Sequence, residues 1–295
     1  MAKVLIHIGY PKAGSTYLQE WYSRHPALHY KGKGVLGFDN NWDIATYAET
    51  TEKLHECFVL SSEDLSVWKG EMDMSTLDNK KDFDIRAYQE KLADTLFAVF
   101  PNAQILICTR GFESMLYAMY NQNVSIGGIL RFKDFMAKLN VYLADFYDYS
   151  FVIQLYRERF GKNVLVLPVE LLKDDSKKFV RLIEDAIELE HRYYLPAVVN
   201  ASMNNSFIHT YLVFSKTLYS LLKLFPASFN QKVYQKYVRM LAKEKPHPFM
   251  KAMNRLINGE TDLKVKPEDL NLFRDKAEIL RNEPLYQPYL KDYLL

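Results

Sequence analysis

Lys12, Gly14, Ser15 and Thr16 lie within one short stretch, GYPKAGST, and together carry the chemistry needed to hold a phosphate-like anion. Lysine supplies a point charge, Ser and Thr supply hydroxyl donors, and glycine lets backbone N–H groups approach a ligand closely. Val4, Leu5, Ile6 and Ile8 form an apolar, largely β-branched run, which predicts a buried strand ending at Gly9. Ser15 and Thr16 favour a helix N-terminus, and Leu18, Trp21 and Tyr22 recur at helical spacing. Strand, glycine-bounded loop and helix aim N–H groups and a helix dipole at one small volume.

In the nucleotide P-loop a Lys directly follows the second Gly and precedes Ser or Thr. Gly9 and Gly14 have the P-loop separation, but Ser15 takes the Lys position and the Lys lies inside the loop, after Pro11. A cation there reaches across the loop toward a phosphate and its bridging oxygen. Two later residues occupy comparable places. Arg110 follows the apolar run QILICT, where a guanidinium can fork onto a phosphate; a surface ion pair is the plainer reading. Glu63, in SSEDL, follows Phe58, Val59 and Leu60, and a carboxylate there can take the proton of an attacking hydroxyl. Asp64 is its rival, and Ser-x-Glu at such a junction also looks like a helix cap.

These residues need a scaffold, and the alternation of patterns supplies one. Strands are predicted around 4–8, 58–60, 104–109 and 164–169. Helices are predicted behind Gly14 and over 42–57, 85–100, 112–122, 132–139, 146–160 and 176–189, with 27–38 a loop holding a short strand. Strands separated by helices imply right-handed crossovers and a parallel sheet covered on both faces. The expected class is therefore α/β: a three-layer sandwich with a central parallel sheet, a P-loop-like phosphate-binding loop and a helical C-terminal extension. Ligands in such sheets bind at the carboxyl ends of the strands, which here means the Gly9 loop, Glu63, Arg110 and Glu170. Beyond His191, Pro246, Pro248, Pro267, Pro284 and Pro288 break a helical pattern. Residues 1–205 are read as the α/β core and 206–295 as helices packed on it.

With 295 residues, 48% hydrophobic and 25% charged, the chain has the composition of a globular protein large enough for one α/β domain with additions. Cys57 and Cys108 suggest no disulfide framework, and no metal-ligand spacing is evident, so no metal is expected. His7, inside the first strand, reads as a core residue. No signal-peptide pattern or membrane-length apolar run is visible, and a cytoplasmic setting is expected. The net charge of +2 is unevenly spread: from Ser206 to Asn258 nine Lys and Arg residues face Glu244 alone. That segment suits an acidic glycan or an anionic membrane surface, although a solvated helix face is the simpler reading. Nucleic acid is not expected, because no reading motif accompanies the charge. Tyr211, Phe214, Tyr219, Phe225 and Phe229 read as core packing or as an acceptor groove.

The run YPKAGSTYL resembles the 5′-phosphosulfate loop of sulfotransferases that use 3′-phosphoadenosine 5′-phosphosulfate (PAPS), and Arg110 through Gly127 and Gly128 is similar to the bacterial branch of that family. The resemblance implies that Pro11, Lys12, Ala13, Gly14, Ser15 and Thr16 cradle the 5′-phosphate and that Tyr17 packs on the adenine. It implies that Arg110 binds the 3′-phosphate and Glu63 is the catalytic base. The family places a Ser at the position of Ala118, so Ser114, one turn earlier, becomes the substitute. Glu170 then serves to order the Arg110 neighbourhood or to cap a helix, and Asn200, Ser202 and Asn204 fall where a second donor loop is expected. Lys12 and Glu63 are the implied catalytic pair. They would act on a nucleotide donor and a hydroxyl-bearing, or amine-bearing, acceptor such as a glycan, releasing adenosine 3′,5′-bisphosphate. Two other functions share the pattern: a P-loop kinase or NTPase, and a non-catalytic nucleotide-binding module.

Overall fold

The computed structural model describes residues 3–30, 56–66, 84–191, 195–196, 204–243, 247–257, 259 and 263–295. Five strands, β1 (Lys3–His7), β2 (Leu28–His29), β3 (Cys57–Ser61), β4 (Gln104–Thr109) and β5 (Val164–Pro168), form one parallel sheet in the order β2-β3-β1-β4-β5. β3 is buried at every position and β4 at every position after Gln104, so both faces are covered. His7 pairs with Ser61 on one side and Leu106 on the other. The strand order turns outward in both directions from β1, which opens a crevice between the carboxyl ends of β1 and β4.

Helices supply the crossovers. α1 (Ser15–Arg24) buries Leu18, Trp21 and Tyr22, each worth roughly 1.5–3 kcal/mol of transfer free energy. Next come α2 (Ile85–Val99), started by the Asp84 side chain accepting from Ala87 N–H, and α3 (Phe112–Ser125). α4 (Phe132–Phe146) and α5 (Tyr149–Phe160) follow, and then α6 (Val169–Asp174) and α7 (Ser176–Ala186). The sequence pattern ended the α4 helix near Leu139. It continues for two more turns because Leu139, Leu143 and Phe146 lie on one buried face, and the break falls at Asp148, whose carboxylate accepts from Phe151 N–H. The predicted helix over 42–57 lies outside the described residues up to 55, and Cys57 opens β3 instead.

Beyond Asn204 the described chain is helical. α8 (Asn205–Leu222) and α9 (Ala227–Lys243) form an antiparallel hairpin, with Ser215 bonded to Tyr237 at 2.8 Å and the Tyr219 and Tyr234 rings 5.3 Å apart. α10 (Pro248–Asn254) and α11 (Pro267–Leu270) precede short 3-10 turns that carry Tyr286 and Tyr293 back to the sheet. There the Tyr286 hydroxyl lies 2.6 Å from the Thr109 hydroxyl at the end of β4.

Candidate functional site

The loop after β1 is held open by backbone conformation. Gly9, Lys12 and Gly14 have φ of 111°, 66° and 92°, the left-handed half of the map. A Lys there stores strain that the flanking structure must hold in place. A Cβ on Gly9 would stand 2.9 Å from Ser66 Oγ, so the loop lies directly against the turn that follows β3. Inside the loop Ala13 N–H and the Ser15 hydroxyl both point back to the Tyr10 carbonyl, at 3.2 and 3.4 Å. Gly14 caps α1 without a side-chain bond, the first helical bond being Leu18 N–H to Gly14 O at 3.1 Å. No acidic side chain occupies the first turn, and among the described residues no acceptor meets the N–H of Gly14, Ser15 or Thr16. Three N–H groups with a positive dipole end behind them are an anion site. Pro11, Ala13 and Ser15 are buried, Lys12 is half-buried and Thr16 is exposed.

The carboxyl end of β4 meets this loop. Arg110 Nη1 donates to the Lys12 carbonyl at 2.9 Å, and its Nε donates to Ser114 Oγ at 2.9 Å. Nε and Nη1 lie on different edges of the guanidinium, and the second terminal nitrogen, Nη2, has no acceptor among the described residues, so it can still donate in the plane of the group. Burial pushes the Arg110 guanidinium down from its ordinary range; the Glu170 carboxylate is the largest influence opposing that. The structure thus brings Lys12, Arg110 and Ser114 into direct contact. Ser114 stands one turn into α3 and also donates to Gly111 O at 3.1 Å. Ala118 is buried.

Glu63 opens the 3-10 turn Glu63–Leu65, and its carbonyl accepts from Ser66 Oγ at 2.8 Å, the atom nearest the Gly9 Cβ position. Its carboxylate and the Arg110 guanidinium both act on the fully buried Tyr147. Burial raises the Tyr147 phenol well above its ordinary range, Glu63 adds to the rise and Arg110 opposes it. Loop, base candidate and guanidinium therefore share one end of the sheet. Tyr17, in the first turn of α1, is buried in the core at 6% exposure. Asn204 caps α8 by accepting from Phe207 N–H at 3.0 Å, while Asn200 and Ser202 lie outside the described residues.

Of the residues that hold this end, Tyr149, Gly111 and Tyr293 carry no local sequence signal, whereas Glu170 is one of the strand-end residues that the sequence marks. Tyr149 OH donates to Arg110 O at 2.8 Å. Glu170 accepts from Gly111 N–H at 3.1 Å and from Tyr293 OH at 2.7 Å, so it orders the backbone on which Arg110 sits. A Cβ on Gly111 would meet Asp292 at 2.6 Å, which makes glycine necessary under the C-terminal segment. Beside Ser114 lies a cavity of about 270 Å³, lined by Gly111, Glu113, Ser114, Tyr117, Glu170, Lys173 and Asp292. With three carboxylates and one Lys, it suits hydroxyl or cationic groups better than a second phosphate. Among the described residues no group of His, Cys, Asp and Glu is placed to hold a metal ion, and no helix is long and apolar enough to cross a membrane. Cys57 and Cys108 are buried and unpaired, and burial pushes the Cys57 thiol up to about 12.

Comparison with protein-family models and with curated proteins finds no match. Among solved structures, a sulfotransferase from Alicyclobacillus acidocaldarius is similar in chain path, with 15% identity and a TM-score of 0.47, covering 78% of this chain and 99% of that one.

Proposed function

We propose that the chain is a sulfotransferase that moves a sulfuryl group from PAPS to a hydroxyl, or an amine, of a glycan or other small acceptor. The observation that carries this reading is the contact of Arg110 with the Lys12 loop. A guanidinium with donors to spare stands beside an uncapped helix end, so two separated anionic groups of one ligand can be held at once. The displaced Lys12 and the strand-end Arg110 resemble the motifs of PAPS-dependent enzymes, with Ser114 substituting for the Ser expected at the position of Ala118, which supports a 3′,5′-bisphosphorylated donor over a simple triphosphate.

In this reading the N–H groups of Gly14, Ser15 and Thr16 and the Lys12 ammonium hold the 5′-phosphate, and Arg110 takes the 3′-phosphate. The acceptor oxygen attacks sulfur in line, the bond from sulfur to the bridging phosphate oxygen breaks, and the electron pair stays on the phosphate. Lys12 stabilises that gathering charge, and Glu63 accepts the acceptor's proton. Positioning and charge stabilisation account for most of the acceleration in such loose transfers.

The direct test is titration with adenosine 3′,5′-bisphosphate, followed by labelled-sulfate transfer to an acceptor panel. At a hundredfold excess over Kd the ligand stabilises the fold by about 2.7 kcal/mol, visible as a rise in Tm. A bisphosphate that neither shifts Tm nor competes with PAPS, alongside magnesium-dependent ATP turnover, would replace this reading with an NTPase.

A further inference from the structure

The α8–α9 hairpin ends in a cluster of exposed apolar side chains. Leu224 is 81% exposed, Leu221 54%, Phe225 53% and Phe229 49%, and the two phenylalanine rings lie 5.4 Å apart at the tip. Pro226 opens α9, its carbonyl accepting from the N–H of both Phe229 and Asn230 at 3.0 Å, so the apolar residues sit on an ordered turn. Scattered exposed hydrophobics are ordinary, whereas four on adjacent turns of one projecting tip are not.

Charge is arranged around the same tip. From Asn204 to Lys243 the chain holds six Lys and Arg residues and no Asp or Glu. Lys216, Lys223, Lys232, Lys236 and Arg239 are all exposed, and none pairs with a carboxylate among the described residues. Phe229, Lys232, Lys236 and Arg239 follow one another at spacings of three, four and three, a single stripe running down α9 from the apolar tip. Like charges at those spacings repel within the helix, so an anionic partner from outside would stabilise the stripe. The Lys223 ammonium lies over the Tyr219 ring, 4.9 Å from its centre.

An apolar tip rimmed by unpaired cations is complementary to one kind of surface in particular. We propose that the α8–α9 hairpin docks on an anionic lipid bilayer, with Leu224, Phe225 and Phe229 entering the headgroup boundary and the lysines meeting acidic headgroups. An acidic glycan would satisfy the cations and leave the leucines and phenylalanines in water, so the exposed apolar side chains favour the membrane.

Vesicle co-sedimentation of the full chain tests this. Binding is expected to vesicles of phosphatidylcholine with phosphatidylglycerol, and to fall steeply with salt. Leu224→Glu with Phe225→Glu is expected to abolish it, and Lys232→Gln with Lys236→Gln to weaken it about thirtyfold. Adenosine 3′,5′-bisphosphate binding and the circular dichroism spectrum should be unchanged in both variants, since none of the four residues belongs to the Lys12 loop or to the Arg110–Ser114 pair. Three results overturn the proposal: no sedimentation with anionic vesicles, equal sedimentation with pure phosphatidylcholine, or heparin binding undiminished in Leu224→Glu with Phe225→Glu while vesicles are ignored. A concentration-dependent dimer lost in the same variant would also overturn it, assigning the tip to a second copy of the chain.

Discussion

Two cationic regions of this molecule are built on opposite principles. At the carboxyl ends of β1 and β4, Arg110 is half-buried and donates to Ser114 through Nε and to the Lys12 carbonyl through Nη1, with Glu170 ordering the peptide next to it. On α9 the cations are exposed and unpaired among the described residues, and nothing fixes their geometry. Removing a guanidinium from water is costly, so the first region exists only because bonds and a nearby carboxylate offset that cost. Fixed charge of this kind can recognise shape and distance. The α9 stripe keeps its hydration and acts as a field, strong at low salt and screened within about 10 Å at 0.1 M. Substitutions in the first region should therefore act on binding and chemistry, and in the second on association, with folding barely touched.

The largest effect is expected at Glu63. Glu63→Gln keeps shape and removes the proton acceptor, so labelled-sulfate transfer should fall by about 10²- to 10⁴-fold while bisphosphate affinity stays the same. A fully active Glu63→Gln protein would leave the strand-end region as a binding site only. Lys12→Met should lower turnover by about 10²- to 10³-fold, the usual cost of one charge-stabilising donor, and because Lys12 is half-buried the fold should survive. If the same substitution changed only KM, Lys12 would be holding the ground state and not the departing phosphate.

Arg110→Met separates the two regions at the level of stability. It retains an apolar stem and loses both charged hydrogen bonds, each worth about 1.5 to 3 kcal/mol, so unfolding in urea should shift to lower concentration. Bisphosphate affinity should weaken by about 10- to 150-fold, the equivalent of one such bond to a phosphate. Unchanged affinity would mean that the donor's second anion lies elsewhere.

Much of this architecture is legible in the chain. β1, β3, β4 and β5 show as apolar runs, and β4 matches its predicted limits because it opens on the polar Gln104 and is followed by Arg110. Ser114 was readable as Arg110's partner only through the resemblance to sulfotransferases, whose Ser position falls at Ala118, one helical turn away. The unreadable parts depend on long-range packing. Nothing around Tyr286 or Tyr293 marks Thr109, 177 and 184 positions away, as their partner. A phenol finds such a partner only once the sheet exists, and tyrosines are common in this chain. The length of α4 was hidden for a related reason: Asn140 weakens the local helical signal, and the burial of Leu143 and Phe146 overrides it.

The smallest effect is also the cleanest discriminator. Lys236 stands four residues after Lys232 and three before Arg239, with no carboxylate bonded to any of them among the described residues. Lys236→Gln changes helix propensity little and removes two repulsive pairs of about 0.2 to 0.5 kcal/mol each, so the protein should gain about 0.4 to 1 kcal/mol. The gain should be read from the urea midpoint at constant slope in low salt, and should fade by 1 M, where screening acts within about 3 Å. Vesicle binding should move the opposite way, weaker as stability rises. A substitution that stabilises the fold and impairs docking marks charge kept for an outside partner. Were Lys236→Gln to destabilise at low salt, an intramolecular anion would be holding the stripe, and the two regions would be variants of one design.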